Sequence, residues 1–271
     1  MKLVMLGTGH AAVTEIYNTC FGITDERLDA GPYFLVDCGG GNGILTQCKH
    51  AGIGLGQIHD IFITHEHADH LLGVVWMIRM IGTMIEKNVY KGDLRIYSHS
   101  GLVPAIRTMA ELTVSAGVCR NIGGRIKLIP LESGDQHQIL GCPVTFFDIE
   151  STKARQFGFT MELPDGQKLS CAGDEPYNEK NYNYVKESSW LMHEAFCLYS
   201  EADKYKPYEK HHSTVREACD QYSRYHVVTQ GGMQCLKAYP WQGNLLQLET
   251  FLKRLILTAE KLLSRGGKAV L

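Results

Sequence analysis

Residues 64–70 read Thr-His-Glu-His-Ala-Asp-His and follow directly on the apolar run Ile61-Phe62-Ile63. The stretch places three imidazoles and two carboxylates within seven residues. Both groups are ligands for zinc, manganese or iron, and a strand that ends in a tight turn can direct alternate side chains at one point. A polar loop that is rich in histidine by chance is the alternative, which the scarcity of histidine disfavours. The stretch therefore predicts a metal site at the end of a buried strand.

The candidate ligands divide between two divalent ions. We expect His65 and His67 to bind one ion, and Asp69 and His70 to bind the other. A hydrolytic two-metal centre also needs a carboxylate that bridges the ions, with a hydroxide between them. Asp174 is the best candidate for the bridge, because it follows the apolar run that ends at Cys171. The alternative for Asp174 is a turn aspartate after a glycine.

Composition limits the class of protein. The 271 residues are 44% hydrophobic with a net charge of -2, which is typical of an ordinary globular chain and offers nucleic acid no general attraction. The nine cysteines are scattered without a Cys-x-x-Cys pair, so we expect reduced thiols and a cytoplasmic location. We expect neither a signal peptide nor a membrane span, since no apolar run approaches about 20 residues.

The order of apolar runs predicts a single layered α/β domain over residues 1–271. Helices are predicted from Leu71 to about Ile85, at Pro104–Ser115 and after Ser213, which we take as an N-cap. The predicted strands are Lys2–Leu6, Tyr33–Val36, Asp60–Thr64, Leu94–Tyr97, Arg125–Ile129, Val144–Ile149, Phe157–Glu162, Lys168–Cys171 and Trp190–His193.

From residue 3 to about 225, the chain resembles the metallo-β-lactamase superfamily, and within it the ribonuclease Z type of tRNA 3′-processing endonuclease. The resemblance is carried by the motifs Leu6-Gly7-Thr8-Gly9, Val36-Asp37-Cys38-Gly39, His65–His70, Gly173-Asp174, His193-Glu194-Ala195 and His212-Ser213-Thr214. It implies a four-layer αβ/βα sandwich and a phosphodiesterase that uses a metal-bound hydroxide. Zinc is the metal it favours, with manganese or iron as alternatives.

The resemblance also assigns roles to single residues. Asp37 is expected to support the metal loop through hydrogen bonds, and Asp69 to be essential for hydrolysis. Glu194 and His212 resemble a proton-relay pair that acts near the leaving group. Without the family, a capped helix start for Glu194 and a solvated polar loop for His212 would be the usual interpretations.

Two departures from the family pattern stand out. The loop before Phe157 lacks the histidine that the family places there, and Glu150 is the residue best placed to substitute for it as a metal ligand. The final histidine ligand is also missing, because the run Tyr225–Val228 ends in Thr229-Gln230. His226 is a weak candidate, and we find no resemblance over residues 227–271, where 252–263 has the spacing of a helix.

The leading hypothesis is therefore a metal-dependent hydrolase that cleaves phosphodiesters, RNA among them. The alternatives are a hydrolase of small esters or cyclic nucleotides, and a degenerate or single-metal binding protein of the same fold. The basic residues Arg95, Arg107, Arg120, Arg125 and Lys127 are spaced like a solvated face, and the interval Tyr97–Ile139 is too short for a clear tRNA-binding arm. A homodimer through Trp76, Met77, Met80 and Met84 competes with burial of these side chains in the core.

Overall fold

The structure is a computed structural model that describes residues 1–27, 31–176 and 178–219. The chain divides into two compact units, which we treat separately. The first comprises Met1–Gly173 and Asn178–Met192, and the second comprises Asp174–Tyr177 and His193–Leu271. The expectation of a single domain stays a prediction. His226 and the expected helix at 252–263 lie outside the described residues.

The first unit contains a sheet of six strands in chain order. The strands are β1 (Lys2–Gly7), β2 (Cys20–Thr24), β3 (Tyr33–Val36), β4 (Ile58–Phe62), β5 (Leu94–His99) and β6 (Ile126–Leu131). The first three pair antiparallel, and β3 to β6 pair parallel. The carboxyl ends of β3, β4 and β5 therefore meet at one edge of the sheet, where the metal loop begins.

A second sheet in the same unit has five strands in the order β11-β10-β9-β8-β7. They are β7 (Gln136–Ile139), β8 (Cys142–Asp148), β9 (Phe157–Glu162), β10 (Lys168–Cys171) and β11 (Trp190–Met192). Neighbours pair antiparallel except β10 and β11, which are parallel. Phe157 and Phe159 of β9 are fully buried, so this sheet presents an aromatic face to the core.

Helices cover the outer faces of the two sheets. They are α1 (Gly43–His50), α2 (Ala68–Leu71), α3 (Gly73–Glu86), α4 (Val103–Thr113), α5 (Ala116–Cys119) and α6 (Tyr182–Val185). In α3, Val74, Met77, Ile78, Ile81 and Ile85 are buried at the three-to-four-residue spacing of one helix face. Leu72, which precedes α3, is 40% exposed.

Two apolar cores hold these layers together. One lies between the first sheet and its helices, with Leu35, Ile61 and Ile96 against Met77 and Ile81. The other lies between the two sheets and is aromatic, with Phe34, Phe62, Phe146, Phe157 and Phe159. On the outer face of the second sheet, the ring of Phe147 stacks on Tyr184 of α6. The layers are helix, sheet, sheet and helix, which confirms the predicted sandwich.

The proposed dimer helix is largely a core helix. Met77 is fully buried, Trp76 and Met84 pack partly against the core, and Met80 is 36% exposed. The span Ala68–Glu86 is one helical stretch among the described residues that is long and apolar enough for a membrane crossing. Half of that stretch is buried within the protein, and the core helix of a globular protein meets the same criteria. Homodimer formation and cytoplasmic location stay predictions.

The second unit is described at residues 174–176 and 193–219. It contains the short helix α7 (Ala202–Tyr205), and residues 215–219 are helical. The side chain and backbone N–H of Thr214 both donate to Oε2 of Glu217, which is the arrangement of an N-terminal cap. The N-cap is therefore Thr214, and the assignment of Ser213 as the cap was wrong.

Candidate metal centre

The loop after β4 brings the predicted histidines together. Nε2 of His65 and Nδ1 of His67 lie 2.8 Å apart, and the ring centroids of His65 and His70 lie 4.3 Å apart. Oδ2 of Asp69 lies 3.7 Å from Nε2 of His70. His65 and His70 are buried, so their nitrogens converge away from bulk water. Sequence reasoning thus identified a local cluster of four ligand-type side chains.

Asp37 fixes the orientation of this loop from the end of β3. Its carboxylate accepts hydrogen bonds from the backbone N–H of Thr64 at 2.8 Å and from the Thr64 hydroxyl at 2.9 Å. Nδ1 of His70 lies 2.7 Å from Oδ2 of Asp37. The supporting role that the resemblance implied for Asp37 is confirmed by these contacts. With Nδ1 directed at Asp37, Nε2 is the His70 nitrogen that faces Asp69.

Backbone contacts hold the same loop from both sides. The N–H of Cys38 donates to the carbonyl of His70, and the N–H of Gly73 donates to the carbonyl of Gly39, at 2.9 and 2.8 Å. A Cβ at Gly73 would lie 1.9 Å from the carbonyl oxygen of Cys38. The start of α3 therefore approaches the β3 loop closely enough to require glycine.

The donor set fits a divalent metal of borderline softness. Converging imidazoles with a nearby carboxylate are the ligands that zinc, manganese and iron accept in hydrolases. The hydrogen bond from the His70 ring to Asp37 is the partner that metal-binding histidines usually have. His65, His67, Asp69 and His70 are thus the residues of the first unit that would hold metal.

Glu150, the predicted replacement for the missing histidine, has a different partner in the structure. Its Oε2 lies 2.9 Å from Nζ of Lys180, and its side chain is 49% exposed. It lies in the left-handed region with φ +59°, in a loop where its N–H donates to Asp148. Among the described residues, no group of converging metal-ligand atoms includes Glu150. Its role as a ligand stays a prediction.

The second unit brings together the other predicted residues. Nδ1 of His212 lies 3.5 Å from Oε2 of Glu194 and 4.0 Å from Oδ1 of Asp174. The nearest ligand atoms of these three side chains all lie within 4.8 Å of one another. A partly buried imidazole between two carboxylates can carry a proton and be oriented by them.

Two neighbours hold the His212–Glu194 pair through contacts that the sequence did not predict. The hydroxyl of Ser213 donates to Oε1 of Glu194 at 2.7 Å. The ring of Phe196 stacks on His212, with centroids 4.9 Å apart and an interplanar angle of 8°. The motifs His193-Glu194-Ala195 and His212-Ser213-Thr214 pointed to this region, but they did not predict that Ser213 and Phe196 fix the geometry of the pair.

His99 is a further residue that sequence reasoning missed. It ends β5, its side chain is buried, and neither ring nitrogen has a hydrogen-bond partner among the residues that the structure describes. Burial lowers the pKa of His99 below its usual value, although Glu66, whose Oε2 lies 3.6 Å from Nε2, acts in the opposite direction. A histidine at the end of a buried strand was the available signal.

Comparison with known proteins supports the fold and the motifs together. Residues 1–217 match the family model described as Anti-Pycsar protein Apyc1. Ribonuclease Z of Brevibacillus brevis is 28% identical over 263 residues, covering 80% of each chain. Ribonuclease Z of Macrococcus caseolyticus is 27% identical over 168 residues, which are 61% of this chain but only 50% of that protein. The solved structure of the short form of human tRNase Z is 25% identical with a TM-score of 0.63, over 83% of this chain and 88% of that one.

Proposed function

The chain belongs to the Anti-Pycsar protein Apyc1 family, and from that premise we propose that it hydrolyses phosphodiesters with bound divalent metal. It is a ribonuclease Z-like protein of the metallo-β-lactamase superfamily. The observation that carries the proposal is the convergence of His65, His67 and His70, with Asp37 bonded to the far side of His70. Such an arrangement supports the binding of a metal ion.

We propose that the ligands belong to two ions, with zinc as the favoured metal. When bound, the ions supply a hydroxide nucleophile near neutral pH and neutralise charge on the phosphoryl oxygens. His65, His67, Asp69 and His70 would be ligands. The sequence also suggests Asp174 as the bridging ligand and Glu150 as the substitute for the missing histidine, and these two assignments stay predictions.

The His212–Glu194 pair would act on the leaving group. Glu194 is held by Ser213, and its Oε2 lies 3.5 Å from Nδ1 of His212, so it can orient the imidazole ring. We propose that His212 gives a proton to the leaving oxygen and that Glu194 keeps the ring in position. A metal site with only a structural role would have no need of this pair, which favours an enzyme over a binding protein.

The test is hydrolysis of bis(p-nitrophenyl) phosphate, together with metal content by elemental mass spectrometry. We expect close to two ions per chain in the wild type, with His67→Ala and Asp69→Ala losing both metal and turnover. His50→Ala is the matched control, because His50 is an exposed histidine in the last turn of α1. Full turnover in His67→Ala would refute the proposal.

A small cyclic phosphodiester is the second candidate substrate. The interval Tyr97–Ile139 is too short for a clear tRNA-binding arm. It contains α4, α5, β6 and β7, and each of these elements packs within the first unit. Four of the five basic side chains named from the sequence engage carboxylates: Arg95 pairs with Asp60, Arg107 with Glu111, and both Arg125 and Lys127 with Asp93. These pairs support the interpretation of a solvated face.

An unprocessed tRNA and a set of cyclic nucleotides distinguish the two substrates. Cleavage of the tRNA at its 3′ end, with cyclic nucleotides left intact, would establish the ribonuclease Z activity. Turnover of a cyclic nucleotide without cleavage of the tRNA would establish the second candidate.

A further inference from the structure

The second unit exposes an unusual number of aromatic rings beside cations. We define an aromatic–cation surface by the residues Tyr199, Tyr205, Tyr208, Lys204, Lys210 and Arg216. Its three tyrosines are 46%, 37% and 53% exposed, respectively. Tyrosine is a large side chain that proteins usually bury in good part, so three exposed rings within ten residues indicate a contact surface.

The cations of this surface lie on aromatic rings. The guanidinium carbon of Arg216 lies 3.2 Å from the ring centroid of Tyr199, and Nζ of Lys204 lies 4.5 Å from that of Tyr205. Nζ of Lys210 lies 4.9 Å from the ring centroid of Phe196. A cation above a ring is attracted by the negative face of the π system. The exposed rings of Tyr199 and Tyr205 thus present an aromatic surface beside a positive charge.

Four cations of the first unit are paired with carboxylates. Arg95, Arg107, Arg125 and Lys127 all lie within 4 Å of a carboxylate oxygen. Within the part of the chain that the structure describes, no carboxylate lies within that distance of the cations of the aromatic–cation surface. Its positive charges are therefore available to an anionic ligand.

The same surface continues to the proton-relay pair within the second unit. Phe196, which lies under Lys210, stacks on the ring of His212. Tyr199 and Tyr208 both contact the helix that begins at residue 215, through Arg216 and through a hydrogen bond from the Tyr208 hydroxyl to Glu217 at 3.0 Å. A ligand on the tyrosines would thus extend toward the residue that we place at the leaving group.

We propose that the aromatic–cation surface binds the unpaired bases of a single-stranded polynucleotide. Aromatic side chains that alternate with cations are typical of single-strand binding, since each ring stacks on a base and each cation faces a phosphate. The identification of the ligand rests on the proposed phosphodiesterase function. The segment also carries Glu201, Asp203 and Glu209, so stacking must contribute more than net charge.

The test is fluorescence anisotropy of the full-length protein with a labelled single-stranded RNA of about twelve nucleotides, a length within the usual range for one site. Strand integrity is checked on a gel after each titration, so that binding is scored apart from cleavage. We expect Tyr199→Ala and Tyr208→Ala each to weaken binding by about tenfold, because one stacking ring is lost. Tyr208→Phe keeps the ring and should retain most of the affinity.

Two controls make the result decisive. Tyr182→Ala removes an exposed tyrosine of the first unit and should leave the affinity unchanged. A duplex of the same sequence hides its bases and should bind at least about tenfold more weakly than the single strand. Equal binding of duplex and single strand, or unchanged binding by both alanine variants, would overturn the proposal. Single-strand binding without any phosphodiester hydrolysis would instead remove the proposed function and leave this surface in place.

Discussion

Oδ2 of Asp37 lies 2.7 Å from Nδ1 of His70, and both side chains are almost completely buried. The two residues are 33 positions apart, so their contact depends on the parallel pairing of β3 and β4. A buried carboxylate beside an imidazole fixes which ring nitrogen is left for a metal. The orientation of His70 is therefore set by the sheet rather than by the loop that carries it.

The first prediction concerns this contact. We expect Asp37→Asn to weaken zinc affinity by about 10- to 100-fold, because His70 loses a charged partner that holds its tautomer. Competition with a chromophoric chelator measures the effect. Asp165→Asn, at an exposed turn, is the control and should match the wild type. Equal zinc affinity in the two variants would mean that Asp37 supports the fold alone.

The second prediction concerns the close approach at Gly73. The Cβ of Gly73→Ala would meet the Cys38 carbonyl, which is backbone and cannot move aside. We expect a loss of about 2 kcal/mol or more in the free energy of unfolding, as for overpacking in a tight core. Urea denaturation measures it. Gly41→Ala meets no heavy atom within 4 Å and should cost far less.

The third prediction decides the role of Glu150. If it is a metal ligand, an ion must compete with Lys180 for its carboxylate. We expect Glu150→Gln to lower the metal content per chain and Lys180→Gln to keep or raise it. Stability should change by less than about 1 kcal/mol in both, since the pair is exposed. Unchanged metal content in Glu150→Gln would remove Glu150 from the ligand set.

The fourth prediction is a pH dependence of stability from Glu217. Burial alone would raise the pKa of Glu217, but hydrogen bonds from the side chain and backbone of Thr214 outweigh it and hold the pKa below 4.5. The unfolded chain then binds a proton before the folded one does, so this stabilisation is complete above about pH 4.5 and is lost as the pH falls through the folded pKa.

Glu217→Gln should remove that dependence. Thermal unfolding between about pH 6 and pH 3 compares the variant with the wild type, and the difference between them should shrink toward the acid end. Glu209→Gln, at an exposed carboxylate eight residues earlier, controls for a simple change of charge. A difference that is constant with pH would contradict the role of the Thr214 hydrogen bonds.

The sequence predicted the cluster of His65, His67, Asp69 and His70, because these side chains lie within six residues and follow a strand with a strong apolar pattern. It missed β2 because Cys20–Thr24 is buried at every position and shows no alternation. It missed β7 because Gln136–Ile139 is a polar edge strand. Apolar periodicity detects half-buried elements, whereas β2 is buried at every position and β7 is buried only at Ile139.

The parts of the candidate site that depend on contacts between distant residues were harder to predict from the sequence. The family resemblance suggested the role of Asp37, but no local pattern connects it to His70. The hydrogen bond from Ser213 to Glu194 joins residues 19 positions apart, and a β-bridge between Cys197 and Thr214 brings their segments together. The charge pairs of the first unit likewise join residues far apart in the chain, such as Arg95 and Asp60.

The backbone of Asp37 has φ +56°, a left-handed conformation that costs most residues about 1–2 kcal/mol and that aspartate and asparagine tolerate better than others. Position 37 therefore requires a side chain that is short, accepts hydrogen bonds and permits this backbone turn. Glycine would satisfy the backbone but leave His70 without its partner, and glutamate would carry the charge on too long a chain. In a library of all substitutions at this codon, selection for activity should return aspartate almost alone, with asparagine as the one partial survivor.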